Sequence, residues 1–297
     1  MPAIPAPTTD GYTSTTPVPL YWCRYSQDSS VGRLVVLHGG PGAHHDYLLP
    51  QMLELAKSRD CLLYDQRGGG RSKTDDRTPI TWQTHVADLS AVLEEHHDGP
   101  LTLVGYSWGA MLAALYAIES AAGRAGPAPA RLVLINPAPM SRAWRQEFET
   151  EFARRQGGAE VAALREQLAA SGLRESDPAA YRQRTFELSV AGYFADPSRA
   201  RDLTPFRVTG RVQQSVWESM GEFDLIPALR DLRVPALVVH GRQDPIPLAS
   251  AKAAAEALDA ESLWLEDCGH VPYVEQPEEL FDAVERFLAR TEASTAP

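Results

Sequence analysis

A serine between two glycines is the first candidate for chemistry in this sequence. The run Gly105-Tyr106-Ser107-Trp108-Gly109 follows an apolar stretch at 101–104 and precedes a stretch rich in alanine and leucine. A strand, a tight Gly-x-Ser-x-Gly turn and a helix in this order are typical of a nucleophile elbow. Glycine is needed on both sides because larger side chains would collide with the adjoining strand and helix. The helix N-terminus also favours a developing negative charge, so we predict that Ser107 is a nucleophile.

A serine hydroxyl is a poor nucleophile near neutral pH and needs an adjacent base, which itself needs an orienting acid. Ser107, Asp244 and His270 each follow the end of a predicted strand, in the chain order Ser, Asp, His. Chemistry in open α/β sheets gathers at the carboxyl ends of strands, so we expect these residues to converge. His270 is predicted to take the proton of Ser107 and return it to the leaving group. Asp244 is predicted to hold the imidazole tautomer and stabilise the imidazolium.

Other histidines and acids fit these roles less well. His240 lies inside a predicted buried strand, upstream of the acid, which favours a packing role. Five histidines fall on helices or loops without a suitably ordered acid and are expected to be solvated or locally bonded: His44, His45, His85, His96 and His97. Three further acids precede the strand that ends before Asp244 or share the loop of His270: Asp224, Asp231 and Asp267.

Acyl transfer through a serine also needs two backbone N–H donors for the oxyanion. One should be the N–H of Trp108, the residue after the nucleophile. The other should come from the first strand-to-helix loop, His38-Gly39-Gly40-Pro41-Gly42. Pro41 has no N–H, so Gly40 is the predicted second donor. His38 is expected to brace this loop by hydrogen bonding.

The segment at 65–72, DQRGGGRS, is rich in glycine but lacks the Gly-Lys-Ser/Thr ending of a phosphate loop. Asp65 and Arg67 in this segment have two candidate roles. Either they pin neighbouring loops through a charge-assisted pair, or they contact the substrate.

Short apolar runs alternate with helical patterns along most of the chain. Strands are predicted at 18–27, 34–37, 61–64, 101–104, 132–135, 236–240 and 263–265. Helices are predicted at 44–60, 81–95, after the elbow, and at 249–258 and 277–290. This alternation predicts an α/β fold with a mostly parallel, doubly wound sheet.

The alternation breaks between about 141 and 226, where apolar residues recur at helical intervals and proline or glycine breaks separate several helices. We predict an all-helical cap insertion at 141–226. The α/β core should then comprise 18–140 and 227–292, preceded by a flexible proline-rich leader at 1–17.

Composition narrows the class of protein. The 297 residues are 44% hydrophobic and 23% charged, which is ordinary for a globular protein, and the net charge of −11 argues against nucleic acid as a partner. The chain has no signal peptide pattern and no apolar run long enough to cross a membrane. Three widely spaced cysteines indicate neither a zinc site nor a disulfide framework and favour a reducing cytoplasm: Cys23, Cys61 and Cys268.

Six segments together resemble the proline iminopeptidases and their tricorn-interacting relatives, which are α/β-hydrolases of the serine peptidase type. They are HGGPG at 38–42, HDYL at 45–48, DQRGGGRS at 65–72, GYSWG at 105–109, GRQDP at 241–245 and CGH at 268–270. The resemblance implies an α/β-hydrolase fold and release of an N-terminal residue, often proline, from small peptides. It also implies a Ser107, Asp244 and His270 triad, with Gly40 and Trp108 as oxyanion donors. We expect no cofactor and no metal.

Members of that family usually hold the substrate ammonium with glutamates in or near the cap. Candidates here are Glu187, Glu218 and Glu222, while the position after the predicted acid, acidic in some relatives, is Pro245. Two alternatives therefore stay open. One is a carboxylesterase or amidase that acts on small molecules without a free amine, and the other is a hydrolase-fold binding protein without turnover.

Overall fold

The computed structural model describes residues 4–27, 30 and 32–293. In this part of the chain, eight strands form one sheet in the order β1-β2-β4-β3-β5-β6-β7-β8. The strands are β1 (Thr9–Tyr12), β2 (Tyr21–Tyr25), β3 (Arg33–Leu37), β4 (Asp60–Tyr64), β5 (Thr102–Tyr106), β6 (Arg131–Ile135), β7 (Ala236–Gly241) and β8 (Glu261–Leu265). β2 runs antiparallel to β1 and β4, and the other pairs are parallel. The predicted mostly parallel α/β sheet is confirmed.

Helices cover both faces of this sheet, which explains why the central strands are continuous apolar runs. Every residue of β4, β5, β6 and β7 is buried. The helices are α1 (Trp82–His96), α2 (Trp108–Ala121), α3 (Arg142–Gln156), α4 (Ala159–Ala170), α5 (Leu173–Ser176), α6 (Pro178–Val190), α7 (Gly210–Met220), α8 (Ile226–Leu229), α9 (Leu248–Ala257), α10 (Pro272–Glu275) and α11 (Pro277–Ala293). Short 3-10 helices span His45–Leu48, Gln51–Lys57, Ala191–Tyr193 and Pro197–Asp202. Because β3, β5, β6 and β7 are neighbouring parallel strands, their carboxyl ends lie side by side at one edge of the sheet.

Two details differ from the sequence prediction. The edge strand is β1, which pairs antiparallel with β2 and lies within the predicted flexible leader at 1–17. This strand has no apolar alternation because it is an exposed edge, and residues 1–3 of the leader lie outside the described residues. The predicted helix at 44–60 is instead two 3-10 helices on either side of Pro50, whose ring and missing N–H interrupt a helix.

The segment between β6 and β7 is helical and carries α3 to α8. Its two ends are joined by backbone hydrogen bonds, from Arg142 N–H to Phe223 O at 2.8 Å and from Leu225 N–H to Met140 O at 2.9 Å. This closure supports our proposal that the insertion spans 141–226. Across the described residues, no helix combines the length and apolar character that a membrane span requires.

Candidate active site

The predicted elbow lies between β5 and α2, with Ser107 in a strained left-handed conformation at φ +55° and ψ −118°. Its N–H donates to Ile135 O at 2.9 Å, which fixes the turn to the end of β6. A Cβ on Gly105 would collide with the carbonyl of Gly109, and a Cβ on Gly109 would collide with the carbonyl of Leu37. The turn is therefore possible only with glycine at both flanking positions.

Ser107, His270 and Asp244 lie together at the carboxyl edge of the parallel strands. His270 Nε2 is 2.9 Å from Ser107 Oγ, and His270 Nδ1 is 2.7 Å from Asp244 Oδ2. With the carboxylate accepting from Nδ1–H, Nε2 is left as the nitrogen that accepts the serine proton. The arrangement is thus able to activate Ser107 as a nucleophile.

Asp244 is buried and held by several donors. Besides His270, its Oδ1 accepts from Ile246 N–H at 2.7 Å. Burial alone would raise the pKa of this carboxyl, but the imidazoles of His270 and His240 and the hydrogen bonds hold the pKa below its ordinary value. The acid is therefore charged near neutral pH. His240 Nε2 lies 3.1 Å from Ile246 O in the core, and burial lowers the pKa of His240.

The glycine loop after β3 lies directly against the nucleophile. A Cβ on Gly39 would stand 2.8 Å from Ser107 Cβ, so this position admits only glycine. The N–H of Gly39 donates to Tyr47 Oη at 2.7 Å and is therefore occupied. Gly40 follows with φ +58°. Of the two adjacent glycines, Gly40 is the better candidate for an oxyanion donor, and its role stays a prediction.

Gln66 connects this loop to the elbow. Its Nε2 donates to His38 O at 2.8 Å, and its Oε1 accepts from Trp108 Nε1 at 2.8 Å. Its backbone N–H donates to His38 Nε2 at 3.0 Å, while His38 Nδ1 lies 2.8 Å from Gly39 O. Burial lowers the pKa of His38 to about 4, so the neutral ring serves both bonds. His38 braces the loop, and Gln66 is a positioning residue that the sequence did not single out.

Two further residues hold Asp244 and the backbone next to His270, and both escaped prediction. Asn136 follows β6, and its Nδ2 donates to Asp244 Oδ2 at 2.7 Å and to Gly269 O at 2.9 Å. Glu275 accepts from Gly269 N–H at 2.8 Å and from Ala195 N–H at 2.7 Å. The signal for Asn136 was its place after a strand end, whereas Glu275 carried no recognisable pattern.

The helical insertion also contacts the base directly. His270 N–H donates to Tyr193 O at 2.7 Å, and the Tyr193 ring packs on the imidazole with centroids 5.1 Å apart. On the other side, Tyr106 Oη donates to His270 O at 2.9 Å. The orientation of the imidazole therefore depends on both the sheet and the insertion.

Away from the relay, Asp65 and His45 form a buried pair. His45 Nδ1 is 2.7 Å from Asp65 Oδ1, and His45 Nε2 is 3.3 Å from Cys23 Sγ. The other oxygen of Asp65 accepts from Arg71 N–H at 2.8 Å, while Arg67 pairs with Asp88 of α1. These contacts are internal, so both residues of the DQRG segment pin neighbouring elements.

The expectation that five helix and loop histidines are solvated or locally bonded is wrong for His85. His45 is buried and not solvated, but it has a local partner in Asp46, whose Oδ1 is 3.0 Å from His45 Nε2. His45 is buried in the pair with Asp65, which lies 20 residues further along the chain. His85 is fully buried in α1 and packs edge-on against Trp108, with ring centroids 6.0 Å apart. His97 Nε2 lies 3.2 Å from Gly99 O, which is the local bonding expected.

A pocket of about 420 Å³ lies beside this site, between α3 and α7. Trp217 in its wall packs edge-on against Trp108, with ring centroids 5.5 Å apart. Phe148 stacks on Tyr193, the residue that holds His270. The pocket is therefore connected to the elbow through Trp217 and to His270 through Phe148 and Tyr193.

The three candidate glutamates lie in different places. Glu218 lines the pocket beside Trp217 and accepts from Gln214 Nε2 at 2.7 Å. Glu187 lines another cavity, between α4, α6 and the 3-10 helix Pro197–Asp202, where Arg184 pairs with it at 2.7 Å. Glu222 is 89% exposed. Of the three, Glu218 is the one that shares a pocket with residues touching the site.

A sequence model described as the alpha/beta hydrolase family matches residues 34–283. The chain belongs to the alpha/beta hydrolase family. A proline iminopeptidase of Lactobacillus delbrueckii subsp. lactis is 28% identical over 260 residues, which cover 82% of this chain and 85% of the relative. The resemblance found in the motifs is confirmed, and the protein is a hydrolase as predicted.

Solved structures extend the likeness to the whole fold. A proline iminopeptidase from Mycobacterium smegmatis has a TM-score of 0.70 at 22% identity, covering 97% of this chain and 100% of that chain. A proline iminopeptidase-related protein from Thermus thermophilus has a TM-score of 0.69 at 24% identity, covering 95% of this chain and 97% of that chain. At this identity the likeness shows that the α/β-hydrolase fold is shared.

Proposed function

We propose that this hydrolase is a proline iminopeptidase-like aminopeptidase, which releases an N-terminal proline or another small residue from short peptides through an acyl-enzyme. The observation that carries the proposal is the pair of hydrogen bonds joining Ser107 to His270 at 2.9 Å and His270 to Asp244 at 2.7 Å. The relatives named proline iminopeptidase support the choice of substrate.

In the proposed reaction Ser107 Oγ attacks the carbonyl carbon of the first residue while its proton passes to His270 Nε2. The resulting imidazolium is stabilised by Asp244, which stays charged. The C–N bond then breaks, and His270 transfers its proton to the leaving amine. In the second half-reaction His270 accepts a proton from the water that attacks the ester carbon. The bond between this carbon and Ser107 Oγ then breaks, His270 returns the proton to Ser107 Oγ, and the free amino acid is released.

The negative charge on the tetrahedral intermediate is proposed to rest between two backbone donors. Trp108 N–H is at the first position of α2, where helix N–H groups lack intrahelical acceptors and the dipole favours an anion. Gly40 N–H is proposed as the second donor, because the N–H of Gly39 is occupied by Tyr47. Such donors contribute about 2.7–4 kcal/mol each to the barrier reduction.

Recognition of the N-terminal ammonium is assigned to Glu218. Its carboxylate lies in the pocket with the Phe148 and Trp217 rings, which suit a small apolar residue such as proline. Glu187 is already paired with Arg184, which makes it a poor partner for an ammonium. We also propose a cytoplasmic location, which the free thiols of the three cysteines support.

The test compares proline p-nitroanilide with its N-acetylated form and with p-nitrophenyl acetate, after a fluorophosphonate probe has been used to label Ser107. We expect labelling of the wild type and the highest kcat/KM for the free-amine substrate. Faster turnover of the blocked amide or the ester would instead favour a small-molecule amidase or esterase. A folded wild type that resists labelling would favour a binding protein without turnover.

A further inference from the structure

We propose that the pocket between α3 and α7 binds a carboxylate of the substrate through Arg145, assisted by Arg142. This inference deepens the proposed function and rests on it, since on a short peptide the carboxylate would be the C-terminus. The enzyme would then prefer free dipeptides and tripeptides to peptides whose C-terminus is blocked or distant.

The position of the pocket links it to the reacting groups. One wall, Trp217, packs against the elbow residue Trp108. Another wall residue, Pro139, follows Ala138, whose N–H donates to Ser107 O at 3.0 Å. A volume of about 420 Å³ is within the range of small-ligand pockets, so a dipeptide with both of its charged ends fits there.

The guanidinium of Arg145 is held in place by its neighbours, but one of its nitrogens has no hydrogen-bond partner among the described residues. Its guanidinium lies over the Trp217 ring, 3.8 Å from the centroid, and its Nε donates to Glu149 Oε1 at 2.8 Å. Its Nη1 is buried and has no hydrogen-bond partner among the described residues. Burial lowers the pKa of this guanidinium, and the bond to Glu149 only partly offsets that effect. A buried donor without an acceptor is costly, and an incoming anion would remove the cost.

Arg142 adds a second positive charge to the same pocket. Its Nε is buried without a hydrogen-bond partner in the described part of the chain, because Glu222 Oε1 is 4.0 Å away. Both arginines belong to the first turn of α3, and the pocket also includes Gly210, where α7 begins. The N-termini of α3 and α7 therefore both lie at this pocket, and their dipoles add positive electrostatic potential to that of the two guanidinium groups.

The charges suit a substrate with opposite charges at its two ends. Among the residues that line the pocket, two arginines stand against one carboxylate, that of Glu218, and Glu149, outside the lining, engages only the Nε of Arg145. The proposed substrate brings one ammonium, for which Glu218 is the proposed partner, and one carboxylate. Guanidinium groups bind carboxylates through paired, charge-assisted hydrogen bonds, which makes the arginines the natural partners of the second group.

The experiment measures KM for Pro-Gly, Pro-Gly-NH2 and Pro-Asp-NH2 with the wild type, Arg145→Met and Arg145→Lys. We expect Arg145→Met to raise KM for Pro-Gly about tenfold, while KM for Pro-Gly-NH2 changes less than about twofold. Arg145→Lys should recover part of the loss. Pro-Asp-NH2 separates the sources of the carboxylate: sensitivity to Arg145→Met there would show that a side-chain carboxylate is accepted too.

Arg154→Met is the matched control, because Arg154 is on the same helix, is 70% exposed and pairs with Glu151. It should leave all three KM values unchanged. An equal rise in KM for the acid and its amide in Arg145→Met would overturn the carboxylate site and leave Arg145 a structural residue. An effect of Arg154→Met as large as that of Arg145→Met would overturn it as well.

Failure of the proposed function is a separate outcome. If the wild type cleaves no prolyl substrate, the same variants are assayed with mono-p-nitrophenyl glutarate and the neutral p-nitrophenyl butyrate. A selective rise in KM for the glutarate in Arg145→Met would then support the carboxylate site without the peptidase proposal. Equal KM changes for the two esters, or none, would refute it.

Discussion

Two rows of nucleophile, imidazole and carboxylate stand out among the described residues: Ser107–His270–Asp244 and Cys23–His45–Asp65. In both rows the imidazole Nδ1 is 2.7 Å from a buried carboxylate oxygen. The rows differ in the surroundings of the nucleophile. Ser107 projects from a strained turn beside a glycine loop, whereas Cys23 lies within β2 and is fully buried. A row of hydrogen bonds is therefore insufficient for catalysis, which also needs access and oxyanion donors.

The Cys23–His45–Asp65 row has a structural role, because it joins two loops. Burial opposes charge on His45, but its bonds to Asp65 and Cys23 outweigh this and raise the pKa of His45. The pKa of Asp65 is lowered in spite of burial by the same pair. Asp65 also accepts from the backbone of His45 and Arg71, which joins the loop containing Gly40 to the DQRG loop. The row thus holds the proposed oxyanion loop in place.

The sharpest test of the comparison replaces each nucleophile with alanine. Ser107→Ala should lower kcat by about 10⁴–10⁶, because the nucleophile is lost. Cys23→Ala should change kcat less than about threefold and act on stability only. Steady-state kinetics with proline p-nitroanilide measure both. A loss below tenfold in Ser107→Ala would exclude the elbow from the mechanism, and a large loss in Cys23→Ala would give the second row a chemical role.

The next largest effect is expected on stability, when the buried charge of Asp65 in the Cys23–His45–Asp65 row is removed. Asp65→Asn removes the buried carboxylate from a protonated, buried His45 and leaves it only the partly exposed Asp46, whose Oδ1 is 3.0 Å from His45 Nε2. This should lower the free energy of unfolding by about 3 kcal/mol. The lowered pKa of Asp65 contributes stability above about pH 4, and the raised pKa of His45 contributes it below about pH 6.5. Urea unfolding should therefore show the largest loss between these values. A loss that is constant from pH 3 to pH 9 would contradict the ion pair.

Glu275 offers a contrast, since it is a buried carboxyl without a cation. Burial raises the pKa of Glu275 to about 7. The folded protein then binds more protons at this group than the unfolded chain between about pH 4.5 and 7, so its contribution to stability falls as pH rises through that window, by up to about 3 kcal/mol. In urea unfolding at pH 5 and pH 8, Glu275→Gln should lose this pH dependence. An unchanged dependence would assign it to other groups.

The smallest effect is expected when the hydrogen bond from Asn136 to Asp244, the proposed acid, is removed. Asn136→Ala removes the Nδ2 donor from Asp244 Oδ2 and should lower kcat about tenfold with little change in KM, because a single buried hydrogen bond is lost. The matched comparison is Asn136→Asp, which places a second carboxylate beside Asp244 and should cost more. Equal kcat values for both variants and the wild type would remove Asn136 from the positioning of the acid.

The residues of the proposed relay were predictable because chemistry restricts both their types and their places. Ser107 needs glycine neighbours, and Asp244 and His270 must follow strand ends in a fixed chain order. Asn136 occupies an equivalent place after β6, but only the fold shows that its amide reaches Asp244. Glu275 lies in a short helix with no pattern of its own.

The helical insertion was predictable in type but not in its contacts. Its helices contain many charged residues, and a charged helix usually indicates a solvated face. Arg145 belongs to such a helix and nevertheless lies over Trp217, which is distant in the sequence. Strand β1 was missed for the opposite reason, since a four-residue exposed strand needs no apolar pattern. In both cases the structure depends on contacts with another segment of the chain, which a local sequence pattern does not show.

The carbonyl of Tyr193 has a consequence for engineering within this family. Because it anchors the peptide N–H of His270, the helical insertion, which is proposed to shape specificity, and the residue proposed to move the proton share one backbone hydrogen bond. Chimeras that exchange the cap between relatives would alter the rate as well as the selectivity. A graft that keeps residues 193–195 native would separate the two.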